Sequence, residues 1–123
     1  MTNTEATAFC KVWLAAWTGN QPDQLIQFYD FKAYYQDPAQ PQGLRGRDAI
    51  LIYFTKLLRR NPTWVWKQEE IFLTQQGFTL KWKAEIPAPS QTLELTGLDI
   101  VELEADLITR NEVYFDPTPL LTR

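Results

Sequence analysis

Along this chain the spacing of hydrophobic positions changes once, from a helical period before Asn61 to a period of two after Trp64. Between Thr4 and Thr18, Phe9, Val12, Trp13, Ala16 and Trp17 fall on one helical face, and Gly19-Asn20 supplies a stop. A second, short helix starts near Pro22, where proline suits the first turn and Asp23 suits the N-terminus; it carries Leu25, Ile26 and Phe28-Tyr29. A third runs from Asp48 through Ile50, Tyr53, Phe54, Leu57 and Leu58 to Arg59-Arg60, and Asn61-Pro62 ends it. Beyond it, Phe78, Leu80, Trp82, Ala84 and Ile86 alternate with Thr79, Lys81, Lys83 and Glu85, a strand with one wholly apolar face. Trp64 to Leu73 predicts its partner through a turn at Gln75-Gln76-Gly77, and Leu93 to Leu103 with Ile108 to Asp116 predicts a final hairpin. No repeat or linker interrupts this order, which predicts one α+β domain over residues 1–123: three N-terminal helices packed on one side of a curved antiparallel sheet.

Composition narrows the functional classes. At 123 residues, folding buries roughly two-thirds of the surface of the unfolded chain, so a core is available without staples. Five Trp, seven Phe and five Tyr are a load that a small core uses fully only if some of the rings line a cavity or an interface. The net charge of -3 and the lack of any Lys/Arg cluster beyond Arg59-Arg60 argue against nucleic acid as a partner. No apolar run approaches the roughly 20 residues needed to cross a membrane. Met1-Thr2-Asn3 lacks the basic start of a signal peptide, and the expected location is cytoplasmic. Cys10 has no partner for a disulfide and reads as a small buried filler. The chain contains no histidine, which excludes Ser-His and Cys-His nucleophile pairs and His-based metal sites; no metal and no cofactor is expected. Any chemistry falls to carboxylates, Lys, Tyr or the one Cys.

Two carboxylates stand out. Asp37 lies in YYQDPAQPQGLRG, residues 34 to 46, where Pro38 holds it in extended backbone at the end of a short strand. Pro41, Gly43 and Gly46 predict a loop that reverses the chain before the third helix, and a carboxylate at the mouth of such a loop can act as a general base. Asp before Pro is also an ordinary turn starter, so a purely structural role stands beside the functional one. Tyr35 shares strand alternation with Asp37 and could orient it or simply pack.

The second carboxylate is Asp99. The odd positions Leu93, Leu95, Gly97, Asp99, Val101 and Leu103 form a face otherwise free of charge, so Asp99 points into apolar surroundings where an ionised carboxylate is costly unless bonded or protonated. A bonded core acid and a functional one are equally compatible with that pattern. A three-residue turn Glu104-Ala105-Asp106 pairs Leu103 with Leu107 and Asp99 with Asn111, putting Asn111, Val113 and Phe115 inside and Arg110 and Glu112 outside. A two-residue turn at Ala105-Asp106 instead pairs Asp99 with Glu112 and brings Arg110 inward; the first register is preferred because it buries the apolar side chains. On the outer face Leu98, Ile100 and Tyr114 leave enough apolar surface to predict a homodimer through that face.

With the segments YYQDPAQPQGLRGRDAI and GLDIVELEADLITRNEVYFDP in place, the chain resembles the SnoaL-like branch of the NTF2-like superfamily along nearly its whole length. The resemblance implies a cone-shaped α+β fold. Within that superfamily the nearest functional analogy is ketosteroid isomerase, which serves as a general worked example of a base aspartate set against a protonated aspartate donor. It matches Asp37 to the general base and Asp99 to the oxyanion-stabilising acid. Trp13 stands where the oxyanion tyrosine is expected, and Phe54 where a supporting tyrosine is; an indole N–H is a weaker, differently placed donor. The expectation is therefore a cavity for a small apolar molecule, lined by Trp13, Trp17, Tyr35, Phe54, Leu80, Trp82, Asn111, Val113 and Phe115, with isomerase- or cyclase-type chemistry carried by Asp37 and Asp99. The alternative is a non-catalytic ligand-binding or dimerisation module of the same fold.

Overall fold

The computed structural model describes residues 1–121. Helix α1 covers Asn3–Ala15, α2 Pro22–Leu25 and α3 Arg47–Arg60, with a 3-10 turn at Ile26–Phe28 and a short α4 at Thr118–Leu121. The strands are β1 Tyr29–Asp37, β2 Gln40–Arg45, β3 Val65–Leu73, β4 Gly77–Pro87, β5 Thr92–Glu104 and β6 Leu107–Phe115. Thr2 starts α1 with a reciprocal cap: its hydroxyl accepts from Glu5 N while its own N–H donates to the Glu5 carboxylate. Gly46 starts α3 with φ of 93°, a conformation open to glycine, and its N–H donates to Ala33 O at 2.8 Å, which ties the helix start to β1.

The six strands form one sheet in the order β2-β1-β6-β5-β4-β3. It is mixed rather than antiparallel, because β1 runs parallel to β6. Alternation along a strand reports which face is buried and carries no information on the direction of a neighbour that arrives from the other end of the chain. The helices also differ from three at the N-terminus: α1 and α2 precede the β1–β2 hairpin, α3 follows it, and α4 closes the described chain. The segment expected as a loop between Asp37 and α3 is mostly strand β2, joined to β1 through Pro38-Ala39, with a bulge that sets Pro41 to Gly43 opposite Gln36.

Helix α1 lies against β3 and α3 against β1 and β2. Trp13, Tyr29, Tyr35, Phe54 and Phe78 are fully buried between helices and sheet, each ring contributing roughly 2–3 kcal/mol relative to exposure. Cys10 is buried with them, whereas Val12, expected on the inner stripe of α1, faces solvent. On the outer face, Leu98 and Tyr114 are directly paired across β5 and β6, and both are more than two-fifths exposed.

The β5–β6 turn is the two-residue alternative at Ala105-Asp106, but the register around Asp99 is neither of the two expected. Ala105 and Asp106, with φ of 48° and 67°, make a two-residue turn of the type whose twist suits a hairpin, so Leu103 pairs with Ile108. Thr109 is then an extra residue on β6, bulged out with its hydroxyl on Glu102 O at 3.2 Å, and beyond it Asp99 pairs with Val113. Turn and bulge together displace the pairing by two residues from the preferred register. An even shift preserves the faces: Asn111 and Val113 are buried, while Arg110 and Glu112 point out and bond to each other.

Candidate functional site

Asp37 closes β1, and Pro38 holds its backbone extended. Its Oδ1 accepts from the backbone N–H of Ala39 and of Gln40, each at 2.9 Å, an Asx turn that shapes the β1–β2 reversal. Its Oδ2 accepts from the Tyr35 hydroxyl at 2.7 Å and the Tyr53 hydroxyl at 2.6 Å. Two residues along a strand bring Tyr35 to the same face, and Tyr53 arrives from the inner stripe of α3. All four acceptor positions of this carboxylate are thereby used. The Tyr35 phenol is held well above the ordinary range, by burial first and then by the charge of Asp37. Tyr53 moves the same way, by burial and by donating to Asp37.

Asp99 is 5% exposed on the inner face of β5. Trp82 Nε1, from the neighbouring strand β4, donates to its Oδ1 at 2.6 Å, and Asn111 Nδ2 donates to its Oδ2 at 2.9 Å. The Asn111 carbonyl in turn accepts from the Tyr29 hydroxyl at 2.8 Å. Burial pushes the Asp99 carboxyl up to about 7; the two donors pull it down, and the Asp37 charge adds a smaller upward push. Asp99 therefore titrates near neutrality. Burial holds the Tyr29 phenol well above its ordinary range, and the nearby Trp13 indole N–H offsets this only in part; that N–H is buried without hydrogen-bond geometry to any partner among the described residues. Cys10 is pushed up to about 12, by burial and then by Asp99, and is a poor nucleophile.

Between helices and sheet lies a cavity of about 380 Å³. Tyr35, Asp37 and the Pro38-Ala39 turn form one wall, with Tyr53, Leu57 and Leu58 of α3, and Asn61 just past its end, beside them. Leu14, Trp17, Trp64 and Trp66 form a second. The sheet contributes Trp82, Ala84, Leu95, Asp99, Val113 and Phe115, and Pro117, Leu120 and Leu121 add a border from the end of the chain. Among the described residues lining it there is no Lys and no Arg.

The structure thus brings Asp37, Asp99, Trp17, Tyr35, Trp82, Val113 and Phe115 to one space. Trp13, Phe54, Leu80 and Asn111 lie behind it, in the packed core. Two polar groups expected on the cavity wall do not reach it: Trp13 is fully buried away from it, and both polar ends of Asn111 are engaged by Asp99 and Tyr29. Tyr53, Asn61, Trp64 and Trp66 line the cavity without having been singled out from sequence. Tyr53 had a legible signal, a phenol on the same helical stripe as Ile50, Phe54 and Leu57 that needs a buried acceptor. Trp64 and Trp66 share one face by alternation. Among the described residues no group of three or more Cys, Asp or Glu side chains is placed to hold a metal ion, and no helix is long and apolar enough to cross a membrane.

A curved, mixed six-stranded sheet folded over helices around such a space defines the NTF2-like class of α+β domains. A putative SnoaL-like polyketide cyclase from Shewanella putrefaciens CN-32 shares the fold with a TM-score of 0.80, covering 95% of this chain and 83% of its own at 11% identity. AclR, a putative hydroxylase from Streptomyces galilaeus, superposes with a TM-score of 0.78, covering 99% and 96% at 12% identity. A hypothetical protein of ketosteroid isomerase-like fold from Catenulispora acidiphila DSM 44928, solved in complex with trimethylamine, gives 0.75, with 88% and 85% covered at 17% identity. The sequence profile of the SnoaL-like domain matches residues 11–111, and the chain belongs to that family. No curated protein matches it in sequence.

Proposed function

We propose that the cavity binds a small apolar molecule and that its two carboxylates carry acid–base chemistry of the isomerase or cyclase type. The observation that carries this reading is a buried carboxyl titrating near 7 on the wall of an otherwise apolar cavity that a second carboxylate also borders. In its neutral form Asp99 can donate to a ligand carbonyl oxygen while still accepting from Trp82 and Asn111. Asp37 would take a proton from the carbon beside that carbonyl; the electron pair moves to the oxygen, Asp99 stabilises the enolate, and the proton returns to carbon. To accept a proton Asp37 must first release a donor, and Tyr53, half-exposed on the cavity wall, is the one free to turn away. Fold neighbours described as a putative polyketide cyclase and a putative hydroxylase, and one solved with a small amine, are in keeping with a small-molecule role. A homodimer through the outer face at Leu98 and Tyr114 completes the proposal.

A second reading, binding without turnover, draws support from the filled acceptor positions of Asp37. The test is deuterium uptake beside the carbonyl of small apolar ketones, followed by NMR, with binding read from tryptophan fluorescence. Exchange that falls at least about 100-fold in Asp37→Asn, with binding retained, supports the acid–base reading. Binding without exchange supports the second reading. Absence of binding across the ketone series overturns the acid–base reading.

A further inference from the structure

We infer that the cavity's occupant is an organic cation, a quaternary ammonium with apolar substituents seated against the aromatic wall beside Asp37. The inference rests on the proposal that the cavity is a ligand site, departs from it by placing a fixed positive charge on an otherwise apolar ligand, and is independent of whether a proton is moved. Its first support is the aromatic wall. Trp64 and Trp66 lie 5.9 Å apart at 44°, Trp66 and Trp17 5.8 Å at 51°, Trp17 and Tyr35 6.3 Å at 35°, and Tyr35 and Tyr53 5.8 Å at 43°. Each ring is inclined to the one before it, and all five line the cavity. Electron-rich rings in such number attract a cation set over their faces.

The second support is charge. Asp37 and Asp99 border the cavity, Asp99 neutral below about pH 7, and among the described residues that line it there is no Lys or Arg; the Arg60 charge at the end of α3 acts on Tyr53 from outside the lining. The partners of Asp37 are two phenols and two backbone amides, which solvate its charge without cancelling it. A neutral hydrocarbon filling this space would leave that charge facing a medium of low polarity; a cation would neutralise it. The third support is the lack of free acceptor positions on Asp37. A primary ammonium or a guanidinium brings several N–H donors that need acceptors, and Asp37 has none to offer without losing a phenol or an amide. A quaternary ammonium has no N–H to satisfy and acts through charge and contact alone.

The test compares three probes of similar shape on the intact protein: benzyltrimethylammonium, its uncharged carbon isostere neopentylbenzene, and benzylammonium. Binding is read by ligand-observed NMR and tryptophan quenching. The expected result is a Kd for benzyltrimethylammonium at least about tenfold below that of neopentylbenzene. Benzylammonium is expected to bind more weakly than the quaternary ion. Trp66→Leu and Asp37→Asn should each shrink the ratio of neopentylbenzene Kd to benzyltrimethylammonium Kd by about threefold or more, and each variant is checked for a cooperative melt. Equal affinity for the charged and uncharged isosteres overturns the cation inference and leaves the cavity reading standing. Failure of all three to bind overturns both.

Discussion

Replacing Asp99 with Asn tests the site at its most exposed energetic point, the placing of a carboxyl where its charged form is poorly solvated. In the folded protein this carboxyl titrates near 7, against 3.8 for an ordinary aspartate, chiefly because it is buried. The folded state therefore holds a proton that the unfolded state has released between those two values. Stability from this group is full below the unfolded value and declines as pH rises, until Asp99 is ionised in both states. At about 1.4 kcal/mol per unit, the roughly three-unit rise sets a total loss of about 4 kcal/mol, of which about 3 falls between about pH 4.5 and 8.5. The Asp99→Asn variant has no such dependence. It does carry a fixed cost of about 1–3 kcal/mol, because one end of the new amide presents a donor to Trp82 Nε1 or to Asn111 Nδ2, which both donate in the wild type. The informative quantity is thus the change with pH of the difference between the two proteins, from which the fixed cost and all shared groups cancel. Urea unfolding followed by tryptophan fluorescence should show the wild type more stable at about pH 4.5, with the gap closing or reversing by about 3 kcal/mol at pH 8.5. A difference that stays constant within about 1 kcal/mol over that range would refute the assignment of a raised carboxyl at this position.

Two further outcomes follow from the packing. A Cβ at Gly97 would lie 2.2 Å from Trp82 Cζ2 and 2.5 Å from its Cη2, so Gly97→Ala forces the indole aside and breaks its bond to Asp99. We expect a loss of about 1–3 kcal/mol in urea unfolding and a higher Asp99 titration point by carboxyl-carbon NMR; an unchanged titration would sink the link between them. Leu98→Lys places a charge on the exposed outer face, and sedimentation should show the mass falling by half; a wild type already monomeric at high concentration removes the dimer from the proposal.

What could be read from the chain alone follows from local physics. Period-two alternation over residues 78–86 assigned the inner face of β4, and all five of its apolar residues are buried as expected. Alternation likewise put Asp99, Asn111 and Val113 inside and Arg110 outside, because a side chain's face depends only on parity along its strand. Proline after Asp37 foretold an extended backbone and a turn, and both are present. Register, strand direction and cavity membership were beyond that reach. The pairing of Asp99 depends on how many residues a turn and a bulge at Thr109 consume, and parity is blind to a shift of two. The parallel β1–β6 contact joins segments about 80 residues apart, and the pattern within either strand is the same for both directions. Whether an inward aromatic packs solidly, as Trp13 and Phe54 do, or borders open space, as Trp66 and Tyr53 do, depends on what stands opposite it, which only the assembled layers decide.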